Sequence, residues 1–509
     1  MHLRCTSGTN ACVARPYRQL VLARAVTHAV VGLDARRVEV EAHVRGSVPA
    51  LSIVGLADRA CQEAKERVRS GIASAERTWP SGRITVNLAP ASLRKEGSGF
   101  DLPIALAILA ASGQVSSERL AGHASLGELS LDGRVRPVGG ALAVAEGARR
   151  SGFARMLCAP QSAAEVALAG VEPVPVRHLA EAAGYLSGEL ELPPWEPAEP
   201  LADDVRTVPQ SDLADVRGQE RARRALEIAA AGAHNLLLAG PPGTGKTMLG
   251  RRLPGILPPL ADDEVLEVTR IHSVAGLLAV EHPVVLARPF RAPHHSASTA
   301  AIIGGGPGPR PGEASLAHRG VLLLDELPEF QRPALEALRQ PLEDGFVSVA
   351  RVGGRALFPA RFQLIGTMNL CPCGGRGDRG TGCTCSPQRL ASFRDKLSRA
   401  LLDRFDLAVV VPRARAEELA AGPAEASEPV RVRVAAARVR LRGAPLRRTR
   451  EADALLDRAV EQLPLSGRGR TRVARVARTI AALAAADAVG AEHVAEALAY
   501  RKPRELDGP

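Results

Sequence analysis

The stretch that decides the fold is His234-Asn-Leu-Leu-Leu-Ala-Gly-Pro-Pro-Gly-Thr-Gly-Lys-Thr-Met248. Its apolar residues 235–239 predict a short buried strand, and a helix beginning at Lys246 would follow it. The residues between and at the start of that helix match a phosphate-binding loop in full: Gly240, Pro241, Pro242, Gly243, Thr244, Gly245, Lys246 and Thr247, with Met248 next. The glycines let backbone N–H groups surround phosphate oxygens, and the positive end of the helix dipole points at the same anion. The alternative is a plain Gly/Pro turn. The eight-residue match, placed between a strand and a helix, argues against that alternative.

The second half of a nucleotide site is predicted at Val321-Leu-Leu-Leu-Asp-Glu326. Four aliphatic residues indicate a buried strand, and two carboxylates follow its end. Lys246 can reach the β- and γ-phosphates, while Thr247 and Asp325 would hold Mg²⁺. Glu326 would orient and deprotonate the attacking water. Alone, this segment is equally an acidic turn after a strand, but its place about 80 residues after the phosphate loop favours the functional interpretation.

Composition sets limits on the class of protein. At 509 residues the chain is too long for one core, so two to four domains are expected. Hydrophobic residues make up 46% and charged residues 24%, which is typical of globular proteins. No apolar run approaches the ~18 residues of a membrane helix, and the N-terminus lacks a signal-peptide pattern. These features predict a cytoplasmic protein without a membrane partner.

Positive charge is concentrated near the C-terminus. The net charge is +11, and residues 431–478 contain 14 Arg against four acidic residues, a net of +10 in one segment. Such a surface is typical of proteins that face a polyanion, and we interpret it as facing nucleic acid. The alternative is an ordinary solvated helix face.

Four of the eight cysteines are clustered, and clustering in a cytosolic chain indicates a metal site rather than disulfides. Their thiolates could bind Zn²⁺ tetrahedrally, although the C-x-C spacing is tighter than the common C-x₂₋₄-C. The alternative is a reduced loop without metal. The candidate ligands are Cys371, Cys373, Cys383 and Cys385.

The chain divides by pattern and composition into six segments. Residues 1–20 show no period and are expected to be a disordered extension, the alternative being a true start near Val21. Mixed helix and strand patterns fill 21–188, a Pro-rich linker follows at 189–210, and an α/β core is expected at 211–412. The remaining segments are an Ala/Glu/Pro-rich connection at 413–429 and a helical lid at 430–505.

The N-terminal region resembles the Lon-protease-like domain found at the front of magnesium-chelatase-like ATPases. The resemblance is carried by Ile53–Leu56, Val86–Pro90, Lys95–Pro103 and Gly127–Gly133. It implies an α+β domain of the kind seen in domain 2 of ribosomal protein S5. Gly99 stands where active Lon-type proteases carry the nucleophilic serine, and Ser98 lies one residue early. A serine that is out of register with its base cannot be activated as a nucleophile, so we expect a proteolytically inactive domain.

Four further segments narrow the resemblance to the YifB/ComM group of magnesium-chelatase-like AAA+ ATPases. They are Arg288–Ser296, Pro311–His318, Met368–Gly374 and Ser466–Gly469. The resemblance extends from about residue 21 to 505. It implies an AAA+ P-loop core with a lid of the magnesium-chelatase C-terminal type, the cofactors ATP and Mg²⁺, and a homo-oligomeric, hexameric ring.

The same resemblance implies roles for five more residues. Gly218 and Gln219 would lie beside the adenine, and Asn369 would sense the γ-phosphate. Arg404, in Leu401-Leu-Asp-Arg-Phe-Asp406, would be the arginine finger that reaches the γ-phosphate of the neighbouring subunit. The alternative for Arg404 is a surface ion pair with Asp403 or Asp406. Arg475, on a helix predicted to begin at Thr471, would be the second sensor, with Arg478 as the alternative.

These expectations describe a Mg²⁺-dependent ATP hydrolase that works as an oligomeric motor. The ComM branch implies DNA as substrate, with helicase or branch-migration activity in recombination or natural transformation. One alternative is a magnesium-chelatase-type subunit that drives metal insertion, against which stand the Lon-like region and the cysteine cluster. The other is a Lon-like protein-remodelling ATPase, which Gly99 disfavours.

Overall fold

The computed structural model describes residues 22–196, 211–279, 282–306, 309–351, 354–378, 380, 382–420, 422–443, 446–463 and 466–501. The expected extension at 1–20 and the linker residues 197–210 lie outside these ranges. Contacts divide the chain into two compact units, of which the first includes residues 34–196 and the second 211–501. None of the helices in these ranges combines the length and the apolar character needed to cross a membrane.

The first unit is a mixed α/β structure built on one seven-stranded sheet. Its strand order is β3-β4-β2-β1-β5-β8-β9, with β2 antiparallel and β3 parallel to β4. Its elements are β1 Leu22–Val31, β2 Asp34–Arg45, β3 Ala50–Val54, α1 Arg59–Ser74, β4 Arg83–Ala89, α2 Asp101–Ala111, α3 Ser117–Ala121, β5 His123–Ser125, β6 Glu128–Leu129, β7 Val135–Arg136, α4 Ala141–Arg150, β8 Arg155–Cys158, α5 Ala163–Leu168, β9 Glu172–Pro175 and α6 Leu179–Ser187.

Helix α2 is the centre of this unit. All eleven of its residues are buried, because it is apolar on every side and packs against α1 and β2. Its one charged residue, Asp101, receives two hydrogen bonds from the Arg67 guanidinium, at 2.6 and 3.1 Å. A buried carboxylate needs such a partner, because an unpaired charge in the core costs several kcal/mol.

The second unit contains an α/β core followed by a helical region. Its elements are α7 Glu220–Gly232, β10 Leu236–Ala239, α8 Lys246–Ile256, α9 Asp262–Ala275, β11 Phe290–Arg291, α10 Thr299–Ile303, β12 Gly304–Gly305, β13 Arg310–Pro311, α11 Glu313–Leu316, β14 Val321–Leu324, α12 Arg332–Ala337, α13 Arg339–Asp344, β15 Phe346–Arg351, β16 Gly354–Pro359, β17 Gln363–Met368, α14 Pro387–Asp395, α15 Arg399–Leu402, β18 Leu407–Val410, α16 Ala416–Ala420, α17 Ser427–Arg442, α18 Arg450–Gln462, α19 Gly467–Leu483 and α20 Ala491–Ala499.

A five-stranded parallel sheet organises the core, in the order β11-β14-β17-β10-β18. All four residues of β10 are buried, since this strand lies between β17 and β18 with both faces covered. Because the strands are parallel, the residues that follow them share one edge of the sheet. We name this the carboxyl edge, and we name the opposite edge, where β10 and β18 begin, the amino edge.

Of the four C-terminal helices, α17 packs on α7 and α8 and α19 packs on α7, while α18 and α20 pack on α19 and on each other. Val430, Val434, Val473 and Ile480 from these helices join Leu238 of β10 in one hydrophobic cluster. Helix α19 begins at Gly467, four residues before the start that the sequence predicted, because Ser466 caps it by accepting a hydrogen bond from the Gly469 N–H.

Candidate functional site

The phosphate loop connects β10 to α8 at the carboxyl edge. Gly243 (φ 73°) and Gly245 (φ 87°) both adopt left-handed backbone, which residues with a Cβ rarely accept. The Gly240 N–H donates to the Met368 carbonyl at 3.1 Å, which fixes the start of the loop against the end of β17. Lys246 is then the first residue of α8. The loop therefore has the conformation that aims backbone N–H groups and a helix N-terminus at one point.

The side chain of Lys246 is folded into this loop and is buried. Its Nζ donates to the carbonyls of Gly240 at 2.9 Å and Pro241 at 2.6 Å, and to Asn369 Oδ1 at 3.2 Å. Burial lowers the pKa of Lys246, and Asp325 partly opposes that shift. The predicted γ-phosphate sensor, Asn369, thus already contacts the phosphate-loop lysine.

Three oxygen-bearing side chains meet beside the loop. The Thr247 hydroxyl donates to Asp325 Oδ1 at 2.7 Å, and the Thr367 hydroxyl donates to the same oxygen at 2.6 Å. The Glu326 N–H donates to Thr367 Oγ1 at 2.9 Å. Carboxylate and hydroxyl oxygens are ligands that Mg²⁺ prefers, and the lysine beside them suits a polyphosphate, so these residues fit Mg²⁺-ATP.

Thr367 was not among the site residues that the sequence predicted. It stands two residues before Asn369 at the end of a buried strand, where a lone threonine is not distinctive in the sequence. Glu326 carries a signal that only the structure gives: its backbone lies in the left-handed region, at φ 54°. Non-glycine residues held there are strained and often occur at functional sites.

Gly218 and Gln219 lie near the same edge. Gln219 Nε2 donates to the Pro412 carbonyl at 2.6 Å, and a Cβ placed on Gly240 would lie 2.3 Å from the carbonyl oxygen of Val411. Both the predicted adenine segment and the phosphate loop therefore contact the two residues that follow β18. Met248, the last residue of the motif, is 36% exposed.

Arg404, the predicted arginine finger, lies at the amino edge, away from the phosphate loop of its own chain. It is the residue two before Asp406, which immediately precedes β18, and its carbonyl accepts from Asn235 Nδ2 at 2.9 Å. Its guanidinium pairs with Glu343 at 2.7 Å, and the side chain is 7% exposed. The surface ion pair with Asp403 or Asp406 that the sequence allowed is replaced by this contact with the end of α13.

Arg475, the predicted second sensor, also lies at the amino edge. It donates to both carboxylate oxygens of Asp406 at 2.7 Å, while its alternative Arg478 donates to the Leu441 carbonyl at 2.6 Å within the helical region. Burial alone would raise the pKa of Asp406, but contacts with His234, Arg475 and the Asn235 N–H outweigh it and hold the pKa below its ordinary value.

The amino edge also carries an arginine-lined cavity of about 460 Å³. Arg288, Arg319 and Arg475 are among its walls, with Glu264 and Glu343 as acidic counterparts. Arg288 is held by Glu264 at 2.9 Å and by the Arg319 carbonyl at 2.5 Å. The cavity therefore lies with the predicted finger and sensor, and not with the phosphate loop.

The four clustered cysteines converge in space, in the segment 371–385 that we name the cysteine loop. All four sulfur atoms lie within 4.8 Å of one another. Cys371 and Cys373 sulfurs are 3.4 Å apart, and Cys373 and Cys383 sulfurs 3.7 Å. Backbone N–H groups of Gly375 and Thr384 lower the pKa of Cys373 to about 5. A tetrahedral Zn–thiolate centre with bonds of ~2.3 Å places its sulfurs ~3.8 Å apart, so this geometry fits zinc.

The first unit holds the segment that resembles a protease site. Ser98 donates to a Glu128 carboxylate oxygen. A Cβ placed on Gly99 would lie 2.9 Å from Leu126 Cδ1, so the position aligned with a nucleophile has little room for a side chain. Lys95 is fully buried with its Nζ bonded to the Pro90 carbonyl, and burial lowers its pKa.

Comparison with protein families identifies all three parts of the chain. Residues 212–419 match the family described as magnesium chelatase, subunit ChlI. Residues 40–162 match a family described as subunit ChlI of Mg-chelatase, and residues 424–501 match the ChlI C-terminal family.

Three relatives are similar over nearly the full length. A protein of Mycobacterium tuberculosis is 44% identical, over 95% of this chain and 99% of its own. YifB of Escherichia coli is 42% identical over 93% and 96% of the two chains, and the competence protein ComM of Haemophilus influenzae is 41% identical over 94% and 97%. The chain therefore belongs to the YifB/ComM group of magnesium-chelatase-like AAA+ proteins.

Proposed function

We propose that the protein is a Mg²⁺-dependent ATP hydrolase that works as a cytoplasmic, ring-forming motor on DNA. The observation that carries the ATPase assignment is the network at the carboxyl edge. There Thr247 and Thr367 both donate to Asp325, and Lys246 contacts Asn369. A turn without a ligand would have no need to gather a lysine, a carboxylate and two hydroxyls around glycine-rich backbone.

Each side chain of this network has a separate role. Lys246 would exchange its carbonyl partners for β- and γ-phosphate oxygens, and Thr247 with Asp325 would hold Mg²⁺, whose charge favours phosphoryl transfer. Asn369 would orient the attacking water beside the γ-phosphate. Glu326 would accept the proton of that water, which is the usual task of a carboxylate at this place.

The predicted hexameric ring accounts for the arginines at the amino edge. Arg404 lies before β18 and the phosphate loop lies after β10, and these neighbouring parallel strands have four residues each. Four residues of strand span about 13 Å, so Arg404 is remote from its own phosphate loop. In a ring, the amino edge of one subunit would face the carboxyl edge of the next, and Arg404 would stabilise charge there. Arg475 would likewise face the nucleotide site of the next subunit.

Assignment of DNA as substrate rests on the name of one relative, competence protein, and on the basic C-terminal segment. Most arginines of this segment pair within the chain, as Arg433 does with Glu227 and Arg470 with Asp457. Among the described residues of the segment, three exposed arginines have side chains without a hydrogen-bond or ion-pair partner: Arg442, Arg447 and Arg450. These three would contact phosphates, so the DNA surface is smaller than the charge count suggests.

The test measures ATP hydrolysis with and without single-stranded, forked and four-way DNA, with Glu326→Gln as the inactive reference. We expect stimulation by DNA and salt-sensitive binding. Replacing Arg442, Arg447 and Arg450 together by Gln should reduce the slope of log K against log[salt] by up to about three units. The matched control replaces three exposed arginines of the first unit, Arg36, Arg69 and Arg83, by Gln. Binding that ignores salt between about 50 and 200 mM would contradict a DNA motor.

The cysteine loop would hold one Zn²⁺ in each chain through four thiolates. Elemental analysis of freshly purified, reduced protein should find one zinc per chain, and Cys373→Ser should lower that content. The absence of zinc from both proteins would remove this cofactor from the proposal and leave the nucleotide site unaffected.

The first unit would have a structural or partner-binding role instead of proteolysis. Gly99 has no nucleophilic side chain, the Ser98 hydroxyl donates a hydrogen bond to Glu128, and the Lys95 ammonium donates one to a backbone carbonyl. Cleavage of casein that disappears in Ser98→Ala would contradict this part of the proposal.

A further inference from the structure

The cysteine loop is a direct continuation of the strand end that carries Asn369. Only Leu370 separates Asn369 from Cys371, and both Leu370 and Cys371 are buried, at 4% and 0% exposure. Successive Cα atoms are about 3.8 Å apart, so the Cα atoms of Asn369 and Cys371 lie within about 7.6 Å. Since Asn369 contacts Lys246, a ligand fixed on Cys371 restrains a side chain of the nucleotide site.

A second contact joins the cysteine loop to the phosphate loop. A Cβ placed on Gly374 would lie 2.9 Å from Cδ and 3.0 Å from Cγ of the Pro242 ring. Gly374 lies next to Cys373 and is buried, with its backbone at φ 78°. The proline ring therefore rests on the backbone of the cysteine loop, and displacement of that backbone removes support from the phosphate loop.

A third contact lies on the side of the predicted adenine segment. The Asp378 carboxylate, 3% exposed, pairs with Arg413 at 3.0 Å. The neighbouring Pro412 carbonyl accepts from Gln219 Nε2. The cysteine loop and Gln219 thus hold adjacent residues of the same segment.

The cysteine loop is held by local contacts and by the convergence of its cysteines, and not by regular secondary structure. Its described residues form no helix or strand, and five of them are glycines, which favour a disordered backbone. The glycines are Gly374, Gly375, Gly377, Gly380 and Gly382. The four sulfurs converge within this glycine-rich segment, and thiolate–metal bonds would add free energy that keeps it ordered.

We propose that the metal of the cysteine loop is an allosteric cofactor of the nucleotide site, so that binding of Zn²⁺ and binding of Mg²⁺-nucleotide strengthen each other. The proposal rests on the nucleotide and zinc sites proposed above. It adds that the cysteine loop transmits metal occupancy to Asn369 and Pro242. Coupling between two binding sites is reciprocal, which makes the idea measurable from either side.

The experiment measures two affinities on the full chain. The affinity of a ribose-labelled fluorescent ADP with Mg²⁺ is determined for zinc-loaded protein and for protein stripped by a chelator. The affinity for zinc is determined by chelator competition with and without ADP. We expect at least fivefold weaker ADP binding without zinc, and zinc binding strengthened by ADP by the same factor.

Matched variants separate the possible outcomes. Cys383→Ser combined with Cys385→Ser leaves Cys371 and Cys373 in place, and should lose zinc and weaken ADP binding while circular dichroism stays unchanged. Thr384→Ala, between the two replaced cysteines, should keep both. Lys246→Ala should retain zinc while its zinc affinity no longer responds to ADP.

Failure of the inference and failure of the proposed function give different results. Equal ADP affinities with and without zinc would overturn the coupling and leave both sites standing. Absence of ADP binding in zinc-loaded wild-type protein would contradict the nucleotide site itself. Absence of zinc from the protein would overturn the coupling together with the metal.

Discussion

The two edges of the core sheet use opposite chemistry. At the carboxyl edge, short side chains and glycine backbone form a closed network, in which Asp325 accepts from two hydroxyls. At the amino edge, long arginines are held by acids of the same chain, as Arg404 is by Glu343 and Arg475 by Asp406. The first edge gathers groups that suit a nucleotide, whereas the arginines of the second edge are paired with acids and have no phosphate loop of their own chain beside them. We infer that the amino edge acts on another copy of the chain, and five predictions test this difference.

The largest effect is expected from Arg404→Ala. If this arginine completes the site of a neighbour, its loss should lower ATP turnover by about 10³-fold, because arginine fingers contribute at least that much to phosphoryl transfer. Binding of fluorescent ADP by the isolated chain should change less than twofold. The control is Arg399→Ala, an exposed arginine one turn earlier. Full turnover by Arg404→Ala in assembled protein would contradict a finger in trans.

The next effect is that of Glu326→Gln at the carboxyl edge. Loss of the general base should lower turnover by about 10²-fold or more and leave nucleotide binding intact. Glu329→Gln, in the same turn and paired with Lys396 at the surface, should have no effect.

The first two variants become decisive when they are mixed. Wherever a Glu326→Gln subunit presents its intact Arg404 to an Arg404→Ala subunit, the interface between them contains a complete wild-type site. Turnover in the mixture should therefore exceed that of either variant alone. Mixtures no more active than their components would show that both residues serve the same chain.

The two edges also differ in how well the sequence predicted them. The carboxyl edge was predictable because its residues are contiguous motifs: the phosphate loop, Asp325 with Glu326, and Asn369 each follow a short apolar run. Thr367 escaped because a lone threonine in an apolar strand carries no signal without its neighbours. The cysteine cluster was equally predictable, since two C-x-C pairs lie close together in the sequence.

At the amino edge the sequence predicted Arg404 and Arg475 as site residues, but not the acids with which their side chains pair. Glu343 lies 61 positions before Arg404 and Asp406 lies 69 before Arg475, and no local pattern connects them. The +10 count overstates the unpaired charge of that segment for the same reason, because acids such as Glu227 that pair with its arginines are distant in sequence. Charge counts along a chain ignore pairings that only the fold creates.

Asp406→Asn tests whether the acids of the amino edge stabilise the fold. Asp406 is almost fully buried, accepts from the Asn235 N–H at 3.1 Å and binds Arg475. Loss of its charge should lower the free energy of unfolding by about 1–3 kcal/mol, as expected for a buried hydrogen-bonded charge. The neighbouring Asp403, 57% exposed and 3.7 Å from Arg501, is the control, and Asp403→Asn should change stability by less than about 0.5 kcal/mol. Equal effects in chemical denaturation would contradict the assigned difference.

The smallest effect is a pH dependence that arises from His234, beside Asp406. His234 is fully buried with Nε2 2.8 Å from the Thr479 hydroxyl, and burial lowers its pKa below the ordinary value of 6.5. Below pH 6.5 the His234 side chain becomes protonated in the unfolded chain but stays neutral in the folded one. The free energy of unfolding therefore falls by at most about 1.4 kcal/mol per pH unit. The His234→Gln variant has no such pH dependence from residue 234. It should be less stable than wild type at pH 8, and in thermal unfolding its stability should approach that of wild type by pH 5.5. Other buried histidines, such as His28 with its pKa lowered to about 4, titrate in both proteins and cancel in the comparison. The exposed His294→Gln should run parallel to wild type, and a constant gap for His234→Gln would show that His234 takes up its proton without unfolding.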